Sequence, residues 1–371
     1  MKMKRIVALM ATVAMSATLL VGCKSGESSS SEKPSEGDKK PATESTVSVG
    51  LVTDEGGIND KSFNQTANEG VKKAEKEFGI KYKYVESQKK EDYEPNIESL
   101  IADGAQLTYA IGFQLADAVT AAAKNNPETK FCLIDSVVEA PNVQSVTFKE
   151  EEGSFLMGVI AGLTTKTNKV GFIGGKDMET IVKFEAGFAA GVNAVNPEAA
   201  KGLVSPDGTA PGSTIKYADS FVDTNKGYEL GKSLYDDGCD VVYHAAGGVG
   251  VGLFQVTQEL RKSGEDVWAI GVDKDQAKEL DGEFADVILS SMMKRVDIAT
   301  YEAAKAMVDG KFKAEVKSLG IAEGGVGMAE STSTNTKPEV IKKAEDYQNQ
   351  IKEGKIKVPG TREEVIKFVE K

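Results

Sequence analysis

The chain repeats itself, and the repeat limits the folds open to it. Residues 49–71 (VGLVTDEGGINDKSFNQTANEGV) align without a gap on residues 170–192 (VGFIGGKDMETIVKFEAGFAAGV), which places Val49, Gly50, Phe63, Gly70 and Val71 on Val170, Gly171, Phe184, Gly191 and Val192. Two more pairs follow in order: LTYAIG from Leu107 resembles DVVYHAAG from Asp240, and FCLID ending at Asp135 resembles WAIGVD ending at Asp273. Short β-branched runs alternate with helical stretches throughout. Strands are expected near 47–52, 81–86, 107–113, 131–135, 143–148, 169–175, 215–218, 240–245, 267–273 and 287–294, with a glycine-rich strand at 320–329. A βαβα rhythm requires a parallel sheet with helices on both faces, and its repetition points to two lobes of one topology.

The first 46 residues stand apart. Met1 to Arg5 carries three positive charges, Ile6 to Val21 is apolar with small residues interspersed, and LVGC closes the run at Cys23. That pattern is a secretory signal, too short and wrongly flanked for a spanning helix. LVGC is also similar to a bacterial lipobox, in which Cys23 becomes the lipidated first residue of the mature chain; the alternative is a plain signal peptide with a chance cysteine. Residues 24–46 hold no aromatic residue and no aliphatic one larger than alanine, too little apolar surface to offset the entropy of ordering. The expected organisation is a signal peptide at 1–22, a lipidated tether at 23–46, one lobe from 47–148 plus 275–316, and a second from 149–274 plus 317–371. A body of roughly 325 residues exceeds what a single core usually supports.

Charge and cysteines remove several functions. The formal charge of −12 becomes −15 once the three positives of the signal are cut away, an acidic surface that disfavours nucleic acid and polyanionic ligands. Cys132 and Cys239 sit in or beside apolar runs without C-x-x-C or Cys/His spacing, and both are expected as buried small hydrophobes. The single histidine, His244, leaves no basis for a multi-histidine metal site or histidine catalysis. Ser62 lacks the G-x-S-x-G context. The stretch from Asp54 to Gly70 matches neither a phosphate loop nor an EF-hand, and GGVGVG from Gly247 misses the dinucleotide spacing by one residue. No catalytic residue, metal or cofactor is expected.

What remains suits uncharged-ligand binding. In open parallel sheets, ligands sit beyond the carboxyl ends of the strands, where Asp54, Asp135 and Asp273 each close an apolar run. They are either helix caps, worth about 1 kcal/mol each, or acceptors for ligand hydroxyls and N–H groups. Lys294, ending VILSSMMK, is either a solvated lysine or a matching donor. Asn64 either caps its helix or addresses a purine edge. Phe63 and Phe184 are either core residues or two faces of a stacking slot contributed by opposite lobes. Gly247 would let backbone approach the ligand closely.

These residues resemble the basic membrane protein family of bacterial lipoproteins, the purine nucleoside receptors of ABC transporters. The likeness runs from about Val47 to Val358 through DEGGINDKSFNQ at Asp54, IGF at Ile111, EEEGSFLMGVIAG at Glu150, AGGVG at Ala246 and GVD at Gly271. It implies a type I periplasmic-binding-protein fold, two Rossmann-like lobes joined by three crossovers around a hinge cleft. It further implies that Phe63 and Phe184 sandwich a base, that Asp54, Asn64 and Asp135 address its polar edge, and that Gly247, Asp273 and Lys294 hold the ribose. The partners implied are a purine nucleoside (adenosine, guanosine or inosine), the permease and ATPase subunits, and the membrane through the anchor; a monomer is expected. Riboflavin or another flat or sugar-bearing solute is the rival ligand, and a surface signalling or adhesion lipoprotein the rival role.

If Cys23 is the anchor, Cys23→Ser releases a folded body from membranes, since firm attachment takes more than one acyl chain. Fractionation checks it: a normally processed mutant that still pellets with membranes refutes the lipobox.

Overall fold

The structure, a computed structural model, describes residues 45–369. The expected signal peptide, Cys23 and nearly all of the tether lie outside the described residues. The first sheet takes β1 (Ser48–Val52), β2 (Lys81–Val85), β3 (Leu107–Ile111), β4 (Lys130–Ile134) and β5 (Val143–Phe148), with α1 (Phe63–Phe78), α2 (Tyr93–Ala102) and α3 (Ala116–Asn125) between them. The chain then crosses to α4 (Glu150–Thr164), β6 (Val170–Gly174), α5 (Glu179–Val195), α6 (Pro197–Ala200), β7 (Ile215–Tyr217), α7 (Thr224–Asp236), β8 (Val241–Ala245), α8 (Val249–Lys262), β9 (Trp268–Asp273) and β10 (Ile288–Lys294). It returns as α9 (Val296–Val308) and β11 (Val316–Leu319), and crosses once more to β12 (Val326–Met328), α10 (Thr332–Asn335), α11 (Pro338–Lys352) and α12 (Arg362–Val369).

The two sheets run β11-β5-β4-β3-β1-β2 and β12-β10-β9-β8-β6-β7. Strand by strand these orders correspond, so the sequence repeat is a repeat of topology. They differ at one edge: β11 joins β5 in parallel, whereas β12 joins β10 antiparallel. The lobe boundaries need correction against the sequence expectation. The sequence pattern puts 275–316 in the first lobe, but β10 pairs in parallel with β9, which keeps residues up to Lys294 in the second. Within the stretch expected as a strand at 320–329 only Val326–Met328 forms one, β12 of the second sheet, while β11 before it belongs to the first, so the last crossing follows Leu319.

Each sheet is covered on both faces. Ile97, Leu100 and Val119 of α2 and α3 pack on Phe131 and Leu133 of the first sheet, and Leu234, Leu253 and Phe254 of α7 and α8 pack on the second. The other faces, under α1 with α9 and under α5 with α4, belong to one continuous apolar cluster. Cys132 and Cys239 are buried and free.

The repeated glycines now acquire a reason. A Cβ on Gly70 of α1 would lie 2.1 Å from the Asp297 carbonyl oxygen of α9, and one on Gly191 of α5 would lie 2.0 Å from the Phe155 carbonyl oxygen of α4. Both partner helices are those that enter a lobe directly after a crossing. The same glycine thus presses a helix backbone against the incoming helix in each lobe. Gly191→Ala is expected to cost about 1 to 3 kcal/mol by overpacking, while Gly248→Ala, whose Cβ would meet only ordinary contacts near 3.4 Å, costs far less. Melting curves of the two variants check it.

Candidate functional site

Between the carboxyl ends of the two sheets lies a cleft with about 590 Å³ of atom-free space, and all eight residues singled out from the sequence line it: Asp54, Phe63, Asn64, Asp135, Phe184, Gly247, Asp273 and Lys294. The loop after β1 builds one wall. Asp54 accepts from the Gly56 N–H at 2.9 Å and from Asn64 Nδ2 at 2.7 Å. Asp60, which sequence reasoning passed over, accepts from the backbone N–H groups of Ser62, Asn64 and Gln65 at 2.9 to 3.0 Å. It therefore caps α1 and frees Asp54 from that duty. Asn64 Nδ2 also donates to Asp60 at 3.1 Å. With its amide nitrogen held by two carboxylates, the Asn64 Oδ1 must face elsewhere, and it is buried without a partner.

The floor is a buried ion cluster. Lys294, 1% exposed, sets its ammonium 2.5 Å from Asp135 and 2.9 Å from Glu150. The same ammonium lies 5.1 Å from the centroids of Phe63 and Phe148 and 5.5 Å from that of Phe184, where ring quadrupoles attract it. Asp135 directly follows β4 and Asp273 ends the equivalent strand β9, and both take a left-handed backbone, with φ of 70° and 64°. Non-glycine residues rarely adopt it, and such strain gathers at functional sites. Asp273 accepts from Ser62 Oγ at 2.5 Å across the two lobes. The Asp135 Oδ1 is buried and unpartnered.

Burial dominates the electrostatics. It pushes the Asp54 carboxyl up to about 6, against the pull of Asn64 and Gly56, and the Asp273 carboxyl up to about 7, against Lys294 and Ser62. Asp135 rises for the same reason, opposed by Lys294. Burial works against the Lys294 ammonium, yet Asp135, Glu150 and Asp273 together hold it above the ordinary lysine range. His244, by contrast, is fully buried in β8, bonded through Nε2 to Gln276 Oε1 at 2.9 Å. Its pKa is lowered to about 4 by burial.

Aromatic placement departs from the expectation in one respect. Phe63 opens α1 and is half-buried, but α5 starts at Glu179, so Phe184 falls in its second turn and is only 3% exposed, within the apolar cluster. The gapless alignment concealed the earlier helix start. Two half-buried rings that sequence reasoning missed also line the cleft: Phe113 and Phe221, edge to face at 6.4 Å. Phe113 follows β3 and Phe221 follows β7 by four residues, so position beyond a strand's carboxyl end was the signal available. Gly247, with φ of 55°, comes so close that a Cβ there would sit 3.0 Å from the Phe221 carbonyl oxygen.

Two lobes of one topology facing across an acidic, ring-lined cleft define a solute-binding protein of the type I periplasmic fold. The profile described as ABC transporter substrate-binding protein PnrA-like matches residues 47–362. A CD4+ T-cell-stimulating antigen of Listeria innocua is 40% identical over 345 residues, covering 89% of this chain and 92% of that protein. The ABC transporter nucleoside-binding protein BmpA of Lactococcus lactis is 37% identical over 370 residues, covering 96% and 99%. An ABC transporter solute-binding protein from Aeropyrum pernix superposes with a TM-score of 0.76 at 25% identity, over 87% of this chain and 97% of that one. The chain belongs to the PnrA-like family of ABC transporter substrate-binding proteins. It is thus a transport component that binds a solute and performs no chemistry on it.

The carboxyl shifts have a testable sign. A carboxyl whose pKa is higher folded than unfolded binds protons preferentially in the folded state, so stability rises as pH falls through the folded value toward the unfolded one. With Asp54 near 6 and Asp273 near 7, the ligand-free protein is expected to melt higher at pH about 5.5 than at about 7.5. Asp273→Asn should flatten that rise. Scanning calorimetry across the window checks both, and a melting point that falls on acidification over this range contradicts the shifts.

Proposed function

We propose that this protein is an extracytoplasmic receptor, anchored by lipidated Cys23, that captures purine nucleosides in the interlobe cleft and delivers them to an ABC permease and its ATPase. The observation that carries the reading is the pair of buried, unpartnered acceptors lining a ring-walled cleft, Asn64 Oδ1 and Asp135 Oδ1. A buried acceptor left unmade costs about 1 to 3 kcal/mol, and a ligand rich in N–H and O–H donors removes that cost. A nucleoside supplies N–H groups on a flat base and hydroxyls on a sugar. The relative in Lactococcus lactis, named as nucleoside-binding, supports the same choice.

In this reading Asp54 and Asn64 address the base edge, while Asp135, Asp273, Lys294 and the Gly247 backbone hold the ribose. Phe63 stacks on the base from the first lobe. The facing ring is Phe221 rather than Phe184, because Phe221 is half-buried whereas Phe184 is 3% exposed and packed in the apolar cluster, although both line the cleft. Phe184 instead forms apolar floor beside the ammonium. Since contacts come from both lobes, the ligand favours the closed arrangement over an open one.

Titration calorimetry tests the proposal. Adenosine, guanosine or inosine should bind, and their 5′-monophosphates should bind far more weakly, because a phosphate dianion meets several buried carboxylates and one lysine already paired. Phe63→Ala and Phe221→Ala should each weaken nucleoside binding roughly five- to a hundredfold. Phe184→Ala should chiefly cost stability, about 3 to 5 kcal/mol through a cavity. Equal affinity for monophosphates, or binding of riboflavin in place of nucleosides, refutes the reading.

A further inference from the structure

The C-terminal helix α12 touches no part of the cleft, yet its first residue gathers three elements that stand behind the cleft's second-lobe wall. Arg362 donates from Nε to Glu185 Oε1 at 2.7 Å and from Nη2 to Glu185 Oε2 at 2.8 Å. It also donates from Nη2 to Asp177 Oδ1 at 2.7 Å and to the Tyr217 hydroxyl at 3.1 Å. Tyr217 in turn donates to Glu185. The Glu185 side chain is 2% exposed and that of Arg362 15%, so this is a buried planar fork rather than a surface pair.

Each partner stands next to a cleft residue. Glu185 follows Phe184 on α5. Asp177 belongs to the β6–α5 loop, three residues before Thr180, which lines the cleft with Ile181. Tyr217 ends β7, four residues before Phe221. The same loop supports the Phe221 ring directly: a Cβ on Gly175 would fall 2.1 Å from that ring, and the Ser220 N–H donates to the Gly175 carbonyl at 3.2 Å. α12 is seated independently of the fork, through Val365, which is buried, and Phe368, whose ring meets Phe155 of α4 edge-on at 6.2 Å.

We propose that Arg362 is a positioning residue for ligand binding: by tying the β6–α5 loop, α5 and β7 to one guanidinium, it holds Phe221 and the Thr180–Phe184 wall in the geometry that receives the solute. It acts through Asp177, Glu185 and Tyr217 and touches no ligand. The inference rests on the nucleoside reading for its affinity test, but not for its structural one.

A structural brace and a positioning residue part company in a double variant. Arg362→Met leaves the Glu185 carboxylate buried and uncompensated, so it should lower both the melting point and the affinity. Adding Glu185→Gln removes the stranded charge and should bring the melting point back to within about two degrees of the parent. If Arg362 positions the wall, the double variant still binds nucleoside roughly five- to thirtyfold more weakly. In its ligand-free form, amide exchange across residues 175–184 stays at least about tenfold faster than in the parent, with β8 and β9 unchanged. Affinity that returns together with the melting point, or parental exchange across 175–184, overturns the proposal. Should the parent chain bind no nucleoside, the functional reading falls, and the exchange measurement alone decides this one.

Discussion

Everything in the cleft is arranged around one buried ammonium. Lys294 ends β10, and the next helix already belongs to the other lobe; Glu150, its partner, opens the helix that follows the first crossing. The ion pair therefore clamps two of the three crossing segments to each other at the bottom of the site. A charge this deep is tolerable only when paired, since stranding either member costs several kcal/mol. Asp135 and Asp273 complete the compensation from the ends of two equivalent strands, and both accept left-handed backbone to do so. The cluster carries more acid than base, so the one ammonium at its centre is already compensated, while burial raises the carboxyls around it.

Above this floor, the lobes contribute unequal walls. The first supplies Phe63 and the Asp54–Asn64–Asp60 network, fixed to the start of α1 by backbone donors. The second supplies Phe221 and the start of α5, steadied from behind by the arginine fork. Ser62 and Asp273 meet across the gap, so closing the lobes satisfies protein groups as well as ligand groups. Binding and closure are then two descriptions of one set of hydrogen bonds.

Most of this was legible in the sequence because it is local or repeated. Strand and helix alternation, the paired glycines and the carboxylates at strand ends all follow from period and position, and all eight chosen residues meet in one cleft. What escaped has a common cause. Alignment pairs Phe184 with Phe63, but the two helices start at different distances from their strands, so Phe184 lines the cleft from the packed second turn of α5 while Phe63 opens its helix. Phe221 had no counterpart in the aligned segment. The partnership of Lys294 with Glu150, and of Arg362 with Glu185, joins residues more than a hundred positions apart, and no short-range pattern encodes it. The lobe assignment of β10 failed similarly, because its sheet is decided by a hydrogen-bonded neighbour rather than by its own composition.

The crossings also set an order of assembly. The outer neighbour of β5 in the first sheet is β11, at residues 316–319, so that sheet waits for nearly the whole chain before its edge is covered. Until then β5, buried at five of its six positions in the finished protein, is an apolar strand with a free edge, a template for pairing with other chains. Helix α9, which closes one face of the same sheet, arrives equally late. The lobe nearest the start of the chain is therefore completed only after most of the other has been made. A nascent chain interrupted before residue 316 would present an unfinished sheet, vulnerable to aggregation and dependent on being kept apart from its neighbours.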